Sequence, residues 1–225
     1  MNEYVKNSAT TAAALQREKL LHNRVVIYIK DPLPDNVDVD YVISFLEKNV
    51  PSQMFYFIDS IFIGQFKQLK KNDINASYED GAIYATNEQS DADDMIDDIV
   101  HELAHSLEKS LGDVIYADNL IENELLGKRK RLYQILNAEG YEASLKSFLN
   151  IEYDKNFDKY LYKVVGYDKL TMLTMGLFIS PYGATSIREY FANGFEHYFL
   201  ESKEYVQKIS PSLFSKIEEI IDYVQ

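Results

Sequence analysis

An α+β fold follows from three features of the sequence. Three short β-branched or aromatic runs read as strands, at Val25–Ile29, Ser60–Gly64 and Ala82–Thr86, all within the first 90 residues. From Asp91 onward the apolar residues recur at helical spacing. No Pro/Gly/Ser-rich linker separates the two stretches, and 225 residues with 46% hydrophobic content suffice for one substantial core. The expectation is a small mixed sheet at the N-terminal end and a mainly helical C-terminal half, in one domain over 1–225.

Taken in order, residues 1–23 read as an N-terminal arm or helix, and 24–90 as the sheet-containing part. Val25-Val26-Ile27-Tyr28-Ile29 is a buried strand ended by Pro32 and Pro34. Val39, Val42, Ile43 and Leu46 then repeat at helical spacing up to the Pro51 break. Ser60–Gly64 is a second strand, Lys70 to Asp80 a polar loop, and Ala82–Thr86 a third strand that leads into a long helix. Ser90 followed by Asp93 is an S-x-x-D variant of the capping box, and Asp91, Asp93 and Asp94 put negative charge at the positive end of the helix dipole. Met95, Ile99, Leu103 and Leu107 form an apolar stripe, and Gly112 is the expected stop. The part 91–225 is mostly helical, without internal repeats, and Lys128-Arg129-Lys130-Arg131 reads as a solvated helix face.

On the long helix His101-Glu102-Leu103-Ala104-His105 spells HExxH. A four-residue step advances a helix by about 400°, so the two imidazoles leave one face with an offset of only roughly 40°. Two neutral nitrogen ligands one turn apart, with a carboxylate between them, are what a zinc-activated water requires, and the pattern points to a metallopeptidase. Hydrolytic zinc takes three protein ligands and leaves one position open. A third His on the same segment, as in metzincins, is excluded, because Glu108 and Leu111 stand where that pattern needs Gly and His. The third ligand must come from a downstream helix. Glu122 and Glu124 are at a suitable distance, but Ile121-Glu122-Asn123-Glu124-Leu125 reads more like a solvated surface.

Further on, Ser180-Pro181-Tyr182-Gly183-Ala184 leads into Glu189-Tyr190-Phe191-Ala192. Tyr-Gly, then a carboxylate seven residues after the Tyr on an aromatic helix of the form E-[FY]-F-A, resembles the catalytic domain of anthrax lethal factor and its relatives, including the secreted Pro-Pro endopeptidases. The resemblance is sharp around the two motifs and extends to a final amphipathic helix after Ser210-Pro211. It implies a zincin-like fold of the gluzincin class. It further implies one Zn2+ per chain held by His101, His105 and Glu189, with Glu102 as general base and then acid, and Tyr182 as the tyrosine beside the metal. A phenol suits that last role, being a neutral donor at pH 7. The family usually carries a second acidic residue one turn after the third ligand to orient a zinc-bound His; Asn193 stands there, and Glu196 is a possible substitute on nearly the same face. His197 points about 80° away from Glu189 on the helix and reads as structural or exposed, and His22 as irrelevant. In gluzincins the strand before the HExxH helix commonly forms the sheet edge, so an extended peptide or protein substrate is expected along 82–86.

The resulting expectation is a zinc-dependent endopeptidase; the alternative is a catalytically inactive zinc-binding or peptide-binding protein of the same fold. With 36 acidic and 23 basic residues the net charge is −13, which argues against a nucleic-acid partner. Cysteine is absent, so neither disulfides nor thiolate chemistry operate. No apolar run reaches membrane-span length, and Met1 to Leu21 lacks a signal-peptide core. As written the chain is expected to be cytoplasmic, whereas the resemblance to lethal factor implies a toxin-like protein that is secreted or delivered to a target cell.

Overall fold

The computed structural model describes residues 18–224. The described residues fall into two compact units, divided between Ser106 and Leu107. In the first unit the strands are β1 (Glu18–Leu21), β2 (Val25–Ile29), β3 (Ser60–Gly64), β4 (Ala76–Glu79) and β5 (Ala82–Thr86). They form one mixed sheet in the order β1-β2-β3-β5-β4, with β2, β3 and β5 parallel and both outer strands antiparallel to their neighbours. Leu21, Val25, Ile27, Ile61, Ile63, Ile83 and Ala85 are buried, while Tyr28, Phe62 and Tyr84 stack in a row across β2, β3 and β5. Two-residue periodicity thus separates an aliphatic face from an aromatic one.

The three expected strands have the expected bounds. Two strands were not expected. Residues 18–21, read as part of the arm, pair with β2, whereas 1–17 of that arm lie outside the described residues. The stretch read as a polar loop takes in the last turn of a short helix, α2 (Lys67–Asn72), and the whole of β4. Asp80 and Gly81, with φ of 44° and 86°, join β4 to β5. Two successive positive φ values match the right-handed twist of a tight hairpin, which suits Asp-Gly. This hairpin corrects the edge assignment: β5, the strand before the HExxH helix, is internal, and β4 is the edge.

Helix α1 (Val39–Asn49) is capped by Asp38, whose carboxylate accepts the Asp40 and Tyr41 amides, and it buries Val39, Val42, Ile43 and Leu46. Helix α3 (Ala92–Tyr116) carries HExxH, and the division between the units falls within it. Its start is held by Asp91, which accepts the Asp94 amide at 2.9 Å, so Asp91 is the cap that Ser90 was expected to provide. Its helical geometry breaks at Leu111 (φ −121°, ψ 22°), next to the expected stop at Gly112, and a second helical stretch continues to Tyr116.

The second unit contains α4 (Leu120–Ala138), α5 (Leu145–Leu149), α6 (Lys155–Lys159), a π-helical turn at Tyr160–Val165, α7 (Tyr167–Leu173), a 3-10 turn at Tyr182–Ala184, α8 (Ile187–Leu200), α9 (Lys203–Ile209) and α10 (Pro211–Tyr223). Its core includes Leu125, Leu132, Leu136, Phe148, Phe191, Phe195, Leu213 and Ile217, all fully buried. Gly194 lets α10 come close, since a Cβ there would lie 2.1 Å from Leu213 Cδ2. No helix among the described residues is long and apolar enough to cross a membrane.

Candidate metal centre

Helix α3 presents the first half of the motif. Met95, Ile99 and Leu103 are fully buried and fix the rotation of the helix, which leaves His101 half-buried and His105 buried at 9% exposure. Burying each such aliphatic side chain contributes about 1.5–3 kcal/mol. The two imidazole centroids are 4.9 Å apart and nearly perpendicular, as a one-turn spacing requires. Between them Glu102 is tethered by its Oε2, which accepts the main-chain amide of Tyr78 on the edge strand β4 at 2.6 Å. Short bonds of this kind to an ionised acceptor are strong and directional.

One turn before Glu102 lies Asp98, a residue that the sequence analysis did not single out. Its carboxyl is pushed up to about 6, chiefly by burial, which outweighs the hydrogen bond from Gln89 Nε2 at 2.7 Å; the neighbouring Glu102 raises it further. The available signal was positional, because 98 and 102 are four apart on one helix.

Helix α8 carries the candidate third ligand. Ser186 is its N-cap and accepts the Glu189 amide at 3.1 Å, so Ser186-Ile187-Arg188-Glu189 has the sequence of a capping box. Tyr182 precedes this helix in the 3-10 turn, with 39% exposure. Burial of its phenol, followed by the Glu189 charge, raises its pKa, so the hydroxyl is a neutral donor at physiological pH. Asn193 is buried, and its Oδ1 accepts the Ser180 hydroxyl at 2.9 Å and lies against Gly183, where a Cβ would sit 3.2 Å away. Asn193 therefore holds the Tyr182–Gly183 turn against α8. Glu196 is half-buried, and His197 Nδ1 faces Glu201 Oε2 at 3.0 Å in an i,i+4 pair, a structural arrangement.

Glu124, Lys128 and Arg129 resolve differently from their expected surface roles. Glu124 accepts the Tyr190 hydroxyl at 2.7 Å and the Ser212 amide at 2.8 Å, which satisfies the start of α10. In the basic island Lys130 and Arg131 are exposed, but Lys128 is 8% exposed and Arg129 is fully buried. Lys128 Nζ donates to Ile209 O at 2.7 Å and to Ser210 Oγ at 2.8 Å. Arg129 Nε and Nη2 donate to Ala184 O and Thr185 O at 2.8 and 2.5 Å, and its Nη1 donates to Asn150 O. The sequence signal for Arg129 is its spacing: with Ile121, Leu125, Leu132 and Leu136 it completes the inward stripe of α4.

His101, His105 and Glu189 form a group of potential ligands whose donor atoms all lie within 4.8 Å of one another, the one group of three or more such side chains found among the described residues. Two imidazole nitrogens and one carboxylate oxygen are a donor set of the kind that zinc accepts. Comparison with family models, curated proteins and solved structures finds no match.

Proposed function

We propose that the protein is a zinc-dependent endopeptidase of the gluzincin type, similar to the lethal factor-like enzymes. The observation that carries this reading is the convergence of His101, His105 and Glu189 to within 4.8 Å, which supplements the local HExxH pattern with a carboxylate from a distant helix. Those three residues would hold one Zn2+. Bound there, the ion would supply Lewis acidity to activate a water and to polarise the scissile carbonyl. Glu102 takes the proton of the attacking water and hands it to the departing amine. The neutral Tyr182 hydroxyl donates a hydrogen bond to the oxygen on which negative charge develops. An extended peptide or protein substrate would find main-chain partners along β4, the outer strand of the sheet, at positions other than the Tyr78 amide that Glu102 holds.

The test combines metal analysis with hydrolysis. Purified protein should carry one zinc per chain, lose it on His101→Ala or Glu189→Ala, and cleave members of a peptide library unless a chelator is present. Zinc retained at one per chain by Glu189→Ala after dialysis would overturn the ligand set. Full zinc occupancy without cleavage of any peptide would instead support a non-catalytic zinc protein.

A further inference from the structure

Arg129 is a fully buried cation, held among the described residues by carbonyl oxygens and an aromatic ring. Burying a charge in this way is costly unless its donors are satisfied, and a guanidinium offers five of them in a rigid planar fork. Two of the three accepting carbonyls, Ala184 and Thr185, lie between Tyr182 and the Ser186 cap of α8. The third, Asn150, belongs to a second loop, which is joined to the same helix start by the Ile187 amide donating to Ile151 O at 2.8 Å. Its guanidinium carbon lies 4.7 Å from the centre of the Phe157 ring, so the plane of the fork is set by packing. Leu125 and Leu132, fully buried on either side along α4, fix the base of the side chain.

We infer that Arg129 is the positioning residue for the segment from Tyr182 to Glu189, and through it for the proposed zinc ligand and oxyanion donor. A rigid fork bonded to adjacent carbonyls fixes both the position and the exit angle of the turn into α8. A lysine at 129 has a single rotating ammonium and cannot hold three separate carbonyls in one plane. The consequence for zinc rests on the function proposed above; the consequence for the segment does not.

The experiment compares wild type with Arg129→Lys, using Leu136→Ala as a control that weakens the buried stripe of α4 two turns further on. Hydrogen exchange read by mass spectrometry, before and after zinc loading, should show amides 182–190 exchanging at least about tenfold faster in Arg129→Lys, with α10 unchanged. Zinc affinity, measured by chelator competition, should fall by about 10- to 100-fold, more than in Leu136→Ala at equal thermal stability. Tyr182→Phe should also cost less turnover in the Arg129→Lys background than in wild type. Arg129→Gln serves for the same measurements where the lysine variant does not fold. Exchange that is unchanged at 182–190, or accelerated evenly across 107–224, would overturn the inference. A wild-type protein that binds no zinc would overturn the preceding functional reading, while the exchange pattern still decides the role of Arg129.

Discussion

Glu102 and its tether to the Tyr78 amide set up a clean substitution, because Gln keeps an oxygen that can accept the same amide while losing the ability to take a proton. Glu102→Gln should therefore retain zinc, measured by elemental analysis, and lose peptide hydrolysis by about 10²–10⁴-fold. Normal turnover in a zinc-loaded variant would remove Glu102 from the chemistry. Tyr182→Phe deletes only a hydroxyl from a ring at the turn before α8, so metal content should hold while kcat falls by about 10²-fold. An unchanged kcat would reduce the ring to packing. At this scale HExxH was legible because a helix makes spacing equivalent to geometry. Arg129 was not, because a run of four basic residues looks solvated until the burial of one of them is known.

Elements were legible to the extent that burial shaped their composition. The strands β2, β3 and β5 lie inside the sheet, and each carries a hydrophobic run whose bounds match the observed ones. β1 (EKLL) and β4 (ASYE) are outer strands, and their charged or polar residues gave no alternating signal. The same limit explains why β5 was taken for the edge: the antiparallel partner outside it looked like loop. Helix starts depended on caps, and here local chemistry was only partly read, with Asp91 rather than Ser90 at α3 and Ser186 unnoticed at α8. Ser186→Ala removes the acceptor of the Glu189 amide and should lower stability by about 1 kcal/mol in denaturant titration. Zinc affinity should fall with it, since the capped turn bears the proposed ligand. A loss of stability with unaltered affinity would show that α8 holds its first turn without the cap.

For the molecule as a whole, buried charge makes stability depend on pH. Lys128 has its pKa lowered to about 8 by burial, an effect that exceeds the opposing influence of Glu124. Between pH 8 and 10.5 the unfolded chain keeps this proton and the folded chain releases it, so the contribution of Lys128 to stability rises with pH across that window. Lys128→Met has no proton to release. Its stability relative to wild type should be most favourable below pH 8 and should decline towards pH 10, by chemical denaturation at each pH. A difference constant from pH 7 to 10 would mean that the ammonium is not penalised by its surroundings. The α+β class was legible at this scale from where β-branched runs stop and helical periodicity begins. The grouping of residues 101, 105 and 189 was not readable from spacing, because 83 residues of intervening chain separate His105 from Glu189; only resemblance suggested it.

The shortness of the outer strand β4 has a consequence for behaviour in solution. It has four residues and ends in Glu79. Such a margin is a poor template for a second molecule, so lateral growth into fibrils finds little to start from there. The same brevity would give any peptide laid along β4 only a few main-chain bonds, a shallow grip from which cleaved fragments depart readily.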